Sequence, residues 1–455
     1  MAPPRSTAGR GATRWQPPRG VARWLGLEAA TVAAVAARLA YVALFGGAKL
    51  SDDEISFWAV AGNIARGRGF SYQGRSTAWR PPLYTGLLAA ARWVGASVRM
   101  VEVGQVAIGA SLPVLFYLLT HRLTGSRRAA LLAAWGGALY PPFVYFSGRI
   151  LSENLAIPLY VLALWLTVEW LVRGGRGRAA WCGAAWGLAI LGRPTALAVA
   201  VLCVVVGALV PLVRIRRRPG RGAGLAEAGL VAVVGIAVVL PWTIRNASAV
   251  GGPVPVVSNE GFTLWVPNRP DNHQLKNVLD TTRYPGIQDY AVYGRAFPGI
   301  EALAHARGFD FDHAGEAAQD AWFRKLAIHD IGAQPARFVA RTIERAGLVL
   351  LPAPDNASQT AKTGTSAKAI LWITSGPLMV LGVAGLLLRL ARARRDLVEW
   401  FVVLAAVGSL LLVAVHVPYV RYRVDGLDPL LIPAAAWLLA DAWDRSRRRS
   451  RPSPA

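Results

Sequence analysis

The chain has 455 residues, of which 54% are hydrophobic, and it carries a formal net charge of +24. The length would allow two or three soluble domains, but repeated long runs without charge exclude an ordinary soluble chain. A strongly positive charge is also typical of nucleic-acid-binding proteins, yet here the arginines lie in separate blocks between apolar runs, so no nucleic-acid partner is predicted.

The beginning of the chain predicts a cytoplasmic segment followed by an anchor. Residues 1–24 are rich in Pro, Gly, Arg and Ser, a composition typical of disorder. The apolar run over about 25–45 predicts the first membrane span, and it follows too long a stretch for a cleavable signal. Residues 46–100 then form the first predicted extracytoplasmic loop, in which 83–95 is too short to span and predicts an interfacial helix.

The arginine blocks predict how the rest of the chain crosses the membrane. Short cytoplasmic loops are rich in arginine, so an even number of spans separates consecutive blocks. This parity predicts that both termini are cytoplasmic, including the basic tail 444–455. The ten predicted spans cover about 25–45, 101–119, 129–146, 154–172, 179–192, 196–213, 225–240, 369–388, 400–415 and 427–443.

A long segment without a spanning run separates the transmembrane region 25–243 from the last three spans at 369–443. Within this segment, 244–368, apolar residues recur at helical spacing from 314 to 350, which predicts a mostly helical extracytoplasmic cap. The predicted fold class is therefore an all-α polytopic membrane protein with about ten transmembrane helices. Two Asn-x-Ser acceptor patterns for glycosylation, at Asn246 and Asn356, lie in the same segment.

Three consecutive acids, Asp52, Asp53 and Glu54, follow the first span directly. Like charges near a medium of low dielectric constant repel each other, so at least one carboxyl is expected to have a raised pKa suited to proton transfer. An alternative interpretation is a solvated helix N-terminus, where acids complement the helix dipole.

Arginines and one further acid occur where several other spans reach the predicted outer side. Taken singly, each arginine is more often a headgroup anchor or a snorkelling residue than a ligand contact. Taken together on one face, they suit an anionic, lipid-linked substrate. The set is Arg80, Arg149, Glu153, Arg193, Arg245, Arg421 and Arg423.

The order of these motifs resembles the GT-C membrane glycosyltransferases. It is similar in particular to family 39, which contains the protein O-mannosyltransferases and is related to the lipid A aminoarabinose transferases. The resemblance covers roughly 25–268. It rests on Asp53-Glu54, the 63–70 segment NIARGRGF, Arg80-Pro81-Pro82-Leu83-Tyr84, the 149–153 segment RILSE, the 187–194 segment GLAILGRP, the 241–246 segment PWTIRN and the 258–261 segment SNEG.

The resemblance implies a GT-C fold and an inverting transfer of a sugar from a polyprenyl-phosphate carrier to an acceptor hydroxyl outside the cytoplasm. In that scheme Asp53 is the expected general base, with Asp52 as its nearest rival and Glu54 in the same acid cluster. Glu153 is expected to orient the acceptor or an arginine. The leaving phosphate needs positive charge, which arginine supplies in bidentate form, and the candidates are Arg80, Arg149, Arg245, Arg421 and Arg423.

The same resemblance implies a substrate cleft lined by Tyr84, Arg193, Trp242 and Asn259. The expected partners are the polyprenyl-phosphate sugar donor and membrane lipid, and the sequence leaves open which sugar is moved and whether the acceptor is a protein, a lipid or a glycan. The scheme requires no soluble cofactor. A divalent metal is compatible with it, but no ligand spacing supports one.

One part of the sequence departs from the family pattern, because Asp425 and Asp428 follow Arg421 and Arg423 closely. Acids at these positions would weaken the affinity of the two arginines for phosphate. Two other interpretations remain open. A transporter or lipid flippase would also be polytopic, although such proteins tend to bind substrate near the bilayer midplane, and an inactive scaffold of the same fold would carry the same motifs.

Overall fold

The computed structural model describes residues 26–47, 49–51, 53–211, 224–272, 298–352, 365–392 and 396–449. Helices dominate this part of the chain, as the alanine-rich and leucine-rich runs predict. The first half contains α1 Leu27–Phe45, α2 Asp53–Ala65, α3 Pro82–Trp93, α4 Val98–Gly109, α5 Leu112–Thr124, α6 Arg127–Leu139, α7 Pro141–Phe146, α8 Glu153–Arg173, α9 Arg176–Gly192 and α10 Ala196–Leu209. The second half contains α11 Leu225–Ala249, α12 Glu260–Asn268, α13 Pro298–Ala306, α14 Glu316–Ala333, α15 Pro335–Leu350, α16 Thr365–Arg392, α17 Leu397–Val415, α18 Val420–Gly426 and α19 Asp428–Arg449.

The chain is an all-α polytopic membrane protein, as predicted. Within the described residues, six helical stretches are long and apolar enough to cross a membrane: Leu27–Phe45, Val98–Thr124, Glu153–Arg173, Leu225–Ala249, Lys368–Arg392 and Leu397–Val415. The other four predicted spans coincide with shorter or more polar helices, namely α6 with α7, α9, α10 and α19.

Two of the predicted spans are interrupted rather than continuous. Span two is the pair α4 and α5, which meet at Ala110 and Ser111, and span three is divided at Tyr140 where Pro141 begins α7. Proline has no backbone N–H and disfavours helical backbone in the residue before it, and Tyr140 has a non-helical ψ of 115°, so α6 ends at Leu139 and a new helix begins at Pro141.

The seventh predicted span differs in the opposite way, because α11 does not end near Leu240 but continues through Pro241 to Ala249. The extension is stabilised by its contacts with the chain that returns alongside it. Asn246 Nδ2 donates to the carbonyl oxygens of Val254 (3.0 Å) and Val256 (3.3 Å), and Trp242 Nε1 donates to Val256 O (2.8 Å). The cap region predicted to begin at residue 244 therefore begins on a helix shared with the membrane region.

Close helix packing in the bundle depends on glycine. A Cβ atom added to Gly183 would lie 2.5 Å from the carbonyl oxygen of Val231, and one added to Gly187 would lie 2.6 Å from Cβ of Val238. These distances are too short for any larger residue. Small residues let α9 and α11 approach closely, as is common between membrane helices, where packing rather than the hydrophobic effect holds helices together.

The described part of the region predicted as the cap is mostly helical, and the predicted helical stretch 314–350 corresponds to α14 and α15. An aromatic cluster packs α12 against α14, with Trp265 and Phe323 at 5.2 Å between ring centroids and Phe262 and Phe323 at the same separation. Glu316, at the start of α14, accepts a hydrogen bond from Ala78 N (2.9 Å) in the loop before α3. The cap helices are thereby joined to the loop 66–81, which carries Arg80.

Several predicted segments lie partly or wholly outside the described residues. They are the N-terminus 1–24 predicted to be disordered, the Asn356 glycosylation pattern, the end of the basic tail, and parts of the predicted loop 46–100, span 196–213 and cap 244–368. The part of that tail within the described range is helical, since α19 continues to Arg449. The two cysteines, Cys182 and Cys203, are buried and free, with their sulfur atoms 3.8 Å apart.

Candidate active site

Asp53 lies in the first turn of α2, and both of its carboxylate oxygens contact arginines. Oδ1 lies 2.7 Å from Arg80 Nη2, and Oδ2 lies 2.6 Å from Arg421 Nη1. Burial disfavours the charged carboxylate, but the charges of the two arginines hold the pKa of Asp53 well below its usual value. Asp53 is therefore not the carboxyl of raised pKa that the acid cluster was expected to contain, because two distant arginines contact it.

Arg80 is held in place by the elements on either side of it. Pro81 and Pro82 follow it directly, and Pro82 begins α3, so the backbone there has little freedom. Its Nε donates to Ser56 Oγ (2.7 Å), and its guanidinium lies 5.1 Å from the ring centroid of Phe57, both on α2. One arginine thus connects the end of the loop to the helix that carries Asp53.

The contacts continue from Arg421 through two more acids. Arg421 Nε donates to Glu153 Oε1, and the same oxygen lies 2.6 Å from Arg193 Nη1. Arg193 Nε in turn lies 2.5 Å from Asp425 Oδ2. Arg80, Asp53, Arg421, Glu153, Arg193 and Asp425 therefore form a linear array of alternating charge, which we call the six-residue charge chain.

The charge chain is assembled from helix ends. Glu153 is the first residue of α8, Arg193 follows the last residue of α9, and Arg421 and Asp425 belong to the short helix α18 between α17 and α19. Glu153 is fully buried. Because three arginines and three acids alternate, the six residues of the charge chain have no net formal charge when every acid is ionised. Burial raises the pKa of Asp425 to about 7 against the opposing charge of Arg193.

Glu54, the next residue after Asp53, belongs to a separate pair. Its Oε2 lies 2.6 Å from Arg149 Nη2, and its Oε1 accepts a hydrogen bond from the backbone N–H of Ile150 (2.9 Å). Ser51 N also donates to Oε2 (3.1 Å). Glu54 therefore connects the start of α2 to the turn that precedes α8, next to Glu153.

Solved structures share this architecture over nearly the whole chain. An archaeal oligosaccharyltransferase, AglB from Archaeoglobus fulgidus, in complex with an inhibitory peptide and a dolichol-phosphate, superimposes with a TM-score of 0.56 at 17% identity, covering 96% of this chain and 53% of AglB. A second structure of the A. fulgidus oligosaccharyltransferase, with Zn and sulfate, gives a TM-score of 0.55 at 17% identity, covering 93% and 50%. The chain has the GT-C fold.

The similarity to these solved structures is found by comparing folds and not by comparing sequences. No protein-family model and no curated protein matches the sequence. ArnT from Cupriavidus metallidurans bound to undecaprenyl phosphate is also found, with a TM-score of 0.42 at 15% identity, covering 96% of this chain and 82% of ArnT. The chain spans about half the length of the oligosaccharyltransferase chains.

On this GT-C fold, five of the predicted site residues belong to the charge chain. They are Asp53, Arg80, Glu153, Arg193 and Arg421. Glu54 and Arg149 form the adjacent pair. Asp52, the predicted rival of Asp53, lies outside the described residues.

The other four predicted site residues, Tyr84, Arg245, Trp242 and Asn259, form no hydrogen bond or ion pair with the charge chain and bind other parts of the described structure. Tyr84 is buried, and its hydroxyl donates to Gln105 Oε1 (2.5 Å). Arg245 donates to the carbonyl oxygens of Thr77 (2.6 Å) and Phe70 (2.7 Å). Its guanidinium lies 4.8 Å from the centroid of the Trp242 ring. Asn259 Nδ2 lies 3.5 Å from Trp79 O. The contacts of Arg245 and Asn259 hold the loop that ends at Arg80, whereas Tyr84 joins α3 to α4.

Arg423 points away from Asp53 although it is only two residues from Arg421. Its side chain is fully buried, 3.1 Å from Asp428 Oδ1, and it donates to the carbonyl oxygen of Leu351 (2.8 Å). Asp428 also accepts a hydrogen bond from Tyr140 (2.7 Å). Arg423 therefore connects α18 to the end of α15, and its guanidinium is already engaged by Asp428 and is not assigned to phosphate binding.

Sequence reasoning did not find the role of Asp425, which it treated only as a nearby charge that would weaken Arg421 and Arg423. The structure shows that Asp425 pairs instead with Arg193. The spacing did indicate that Asp425 could face the site. Arg421 and Asp425 are four residues apart, so they lie on the same side of any helix formed there. Among the described residues, no group of three or more His, Cys, Asp or Glu side chains could hold a metal ion.

Proposed function

We propose that the chain is an inverting glycosyltransferase that moves a sugar from a polyprenyl-phosphate-linked donor to an acceptor hydroxyl, on the outer face of the cytoplasmic membrane. The observation that carries the proposal is the contact of one carboxylate, Asp53, with two arginines, Arg80 and Arg421. The GT-C fold supports it, since the similar AglB is an oligosaccharyltransferase that was solved with dolichol-phosphate. The closer relation to family 39 rests on the sequence motifs.

The chemistry follows from the charges of these groups. The acceptor hydroxyl forms a bond to the anomeric carbon of the sugar while its proton moves to Asp53, and the bond from that carbon to the phosphate oxygen breaks. The departing polyprenyl phosphate keeps the electron pair, so it needs positive charge beside it and no proton. Arg421 and Arg80 supply that charge, with Arg149 on the adjacent pair.

Binding of the donor changes the partners within the charge chain. In the resting arrangement both Asp53 oxygens are occupied by arginines, so neither is free to accept a proton. The donor phosphate is an anion and competes with Asp53 for Arg421. When it succeeds, one Asp53 oxygen is released and its pKa rises toward the usual value, which makes Asp53 a base only when the donor is present.

The position of the charged groups favours an enzyme over a transporter or flippase. Transporters place their binding groups near the bilayer midplane, often on interrupted helices. Here Glu153, Arg193 and Asp53 lie at helix ends. The arginine-rich loops support the proposed topology, with both termini in the cytoplasm and the site outside.

The test measures release of polyprenyl phosphate from a panel of polyprenyl-phosphate sugars by the purified protein in nanodiscs, with hydroxyl acceptors present. We expect Asp53→Asn to lower release at least 100-fold, as is typical when a general base is removed. Asp52→Asn tests the rival base. Asp310→Asn, at an exposed position before α14, is the matched control and is expected to retain wild-type release.

Two outcomes would contradict the proposal in different ways. If folded wild-type protein leaves every donor intact, the enzyme hypothesis fails, and lipid or sugar transport should be measured next. If wild type releases polyprenyl phosphate and Asp53→Asn does so equally fast, the protein is a glycosyltransferase whose base is another residue.

A further inference from the structure

Helix α15 exposes apolar side chains, although it lies in the region predicted as an extracytoplasmic cap. Val339 is 53% exposed and Ile343 is 68% exposed. At 3.6 residues per turn, these side chains share one face of the helix with the exposed small residues Ala336, Ala340 and Gly347. We call these five residues the apolar strip of α15. A helix surrounded by water normally turns such a face toward the protein core, so an uncovered strip marks an interaction surface.

Three arginines line one edge of the same helix. Arg337, Arg341 and Arg345 are spaced four residues apart, so their side chains lie one turn above another beside the apolar strip. None of the three forms an ion pair with a described residue, and both Arg337 and Arg341 donate to the carbonyl oxygen of Asn272. Burial and the charge of Arg341 lower the pKa of Arg345 to about 10. Because Glu344 is the single acid in the α15 sequence, this edge keeps an excess of positive charge.

The contacts of α15 place it at the end of a membrane-spanning helix. It packs against α17, which is long and apolar enough to cross a membrane. Arg345 Nη1 lies 3.5 Å from the carbonyl oxygen of Ala414, in the last turn of α17. The 16 residues of α15 give it a length of about 24 Å, and it carries three arginines and one glutamate. A helix this short and this charged does not span a bilayer, so α15 lies at the membrane surface.

A lipid surface matches the two sides of this helix. An apolar strip beside a cationic edge is the pattern of helices that lie between the hydrocarbon and the headgroups of a bilayer. Arginine side chains at that depth extend toward the headgroups, where they bind phosphate in bidentate form. The adjoining α17 also exposes apolar side chains, as expected for a spanning helix that lipid surrounds, namely Leu404, Val407 and Leu411.

We propose that α15 is a membrane-surface helix, with its apolar strip among the acyl chains of a phospholipid leaflet and with Arg337 and Arg341 bound to the phosphate of an anionic phospholipid. The leaflet is the one at the end of the bundle that carries the charge chain. Arg345 is only 1% exposed and holds the helix to the protein instead. This surface is separate from the proposed donor site, so lipid binding does not depend on sugar transfer.

The lipid-bound helix adjoins the short helix that carries Arg421. Arg423, on α18, donates to the carbonyl oxygens of Val349 (3.1 Å) and Leu351 (2.8 Å) at the end of α15. Anchoring α15 to lipid therefore also fixes one neighbour of α18 relative to the membrane surface.

The experiment uses phospholipids with a photoreactive diazirine in the acyl chain, added as a minor component to phosphatidylcholine nanodiscs that contain the full-length protein. The photoreactive lipid is either phosphatidylglycerol, which is anionic, or phosphatidylcholine, which has no net charge. After illumination, mass spectrometry quantifies lipid adducts on peptides from α15 and α17. We expect adducts at Val339 and Ile343, more with phosphatidylglycerol than with phosphatidylcholine. The double variant Arg337→Gln, Arg341→Gln should lose this preference by about fivefold for each arginine removed.

Two controls accompany the double variant. Arg307→Gln removes an exposed arginine that directly follows α13, and it should keep the wild-type preference. Adducts at Leu404 and Val407 on α17 show that each variant is folded and inserted.

The inference is overturned if α17 is labelled while α15 is not, because the apolar strip then faces water or another protein. It is also overturned if both lipids label α15 equally in wild type, or if the double variant keeps the wild-type preference. In either case Arg337 and Arg341 do not bind lipid phosphate.

Discussion

Arg421 and Asp53 are 368 residues apart in the sequence, yet Arg421 Nη1 lies 2.6 Å from Asp53 Oδ2. Arg421 reaches Glu153 through a different nitrogen, Nε. A guanidinium can bridge two carboxylates in this way because its donors point in fixed, divergent directions, whereas an ammonium group acts as a single point charge.

Replacing Arg421 by lysine should therefore impair the enzyme although the charge is kept. Loss of one charge-assisted hydrogen bond costs about 1.5–3 kcal/mol, so we expect kcat/KM for the donor to fall at least tenfold in Arg421→Lys. Arg324→Lys is the control, because Arg324 also pairs with an aspartate, Asp320 at 2.5 Å, but lies on α14. Wild-type kcat/KM in Arg421→Lys would show that the bridge is not needed.

The Asn246 acceptor pattern should stay unmodified even in a host that glycosylates extracytoplasmic asparagines. The Asn246 side chain is fully buried, and its amide nitrogen already donates to two carbonyl oxygens. Transfer of a glycan would require this part of α11 to unfold. Mass spectrometry of peptides from protein made in such a host should find Asn246 without sugar, and a high glycan occupancy there would contradict the position of α11.

Gly183→Ala should destabilise the bundle. The added methyl group would lie 2.5 Å from the backbone oxygen of Val231, so α9 and α11 must separate. Overpacking of this kind costs about 1–3 kcal/mol, which should appear as a lower unfolding temperature in detergent. Gly177→Ala, on the same helix with no atom within 4 Å of the added Cβ, is expected to be as stable as wild type or slightly more so. Equal unfolding temperatures for the two variants would contradict this packing.

The contact of Glu316 with the loop before α3 should make the stability of the protein depend on pH. Burial raises its pKa, although hydrogen bonds from Ser258, Ala78 N and Thr77 oppose the shift. A carboxyl whose pKa is higher in the folded state contributes most to stability below its unfolded value, near 4.3, and this contribution is lost as pH rises through the folded pKa.

Glu316→Gln keeps the accepting oxygen and cannot ionise, so it should lack this dependence. We expect the difference in unfolding temperature between pH 5 and pH 7 to be smaller in Glu316→Gln than in wild type. Glu344→Gln, at an exposed position on α15, serves as the control and should behave as wild type. An unchanged pH dependence in Glu316→Gln would show that the carboxyl is better solvated than its burial indicates.

Much of the fold could be predicted because the membrane imposes strong rules on the sequence. Spanning helices must be apolar, and arginine-rich loops indicate the cytoplasmic side of the membrane. The even number of spans between these loops predicted that Asp53, Glu153 and Arg193 emerge on the same face. The structure brings these residues to one cluster of helix ends. The side of the membrane on which they lie remains a prediction.

The pairing within the site could not be predicted, because it depends on the rotation of each helix about its axis. Arg421 and Arg423 appear equivalent in the sequence, but α18 directs one to Asp53 and the other to Asp428. Asp53 and Glu54 are likewise neighbours whose carboxylates contact different arginines. Hydrophobic periodicity does not specify these directions where both faces of a short segment are buried.

The alternation of sign along the six-residue charge chain also limits how this protein can diverge. Asp53, Arg421, Glu153 and Arg193 each contact two partners of opposite charge, and removing one leaves an unpaired charge in a buried position, which costs about 3–5 kcal/mol. A single replacement is therefore harmful, whereas joint loss of the terminal pair Arg193 and Asp425 leaves Glu153 paired with Arg421 and is tolerable. In an alignment of homologous chains we expect the columns of Glu153, Arg193 and Asp425 to covary, with isolated losses confined to lineages that have abandoned the activity.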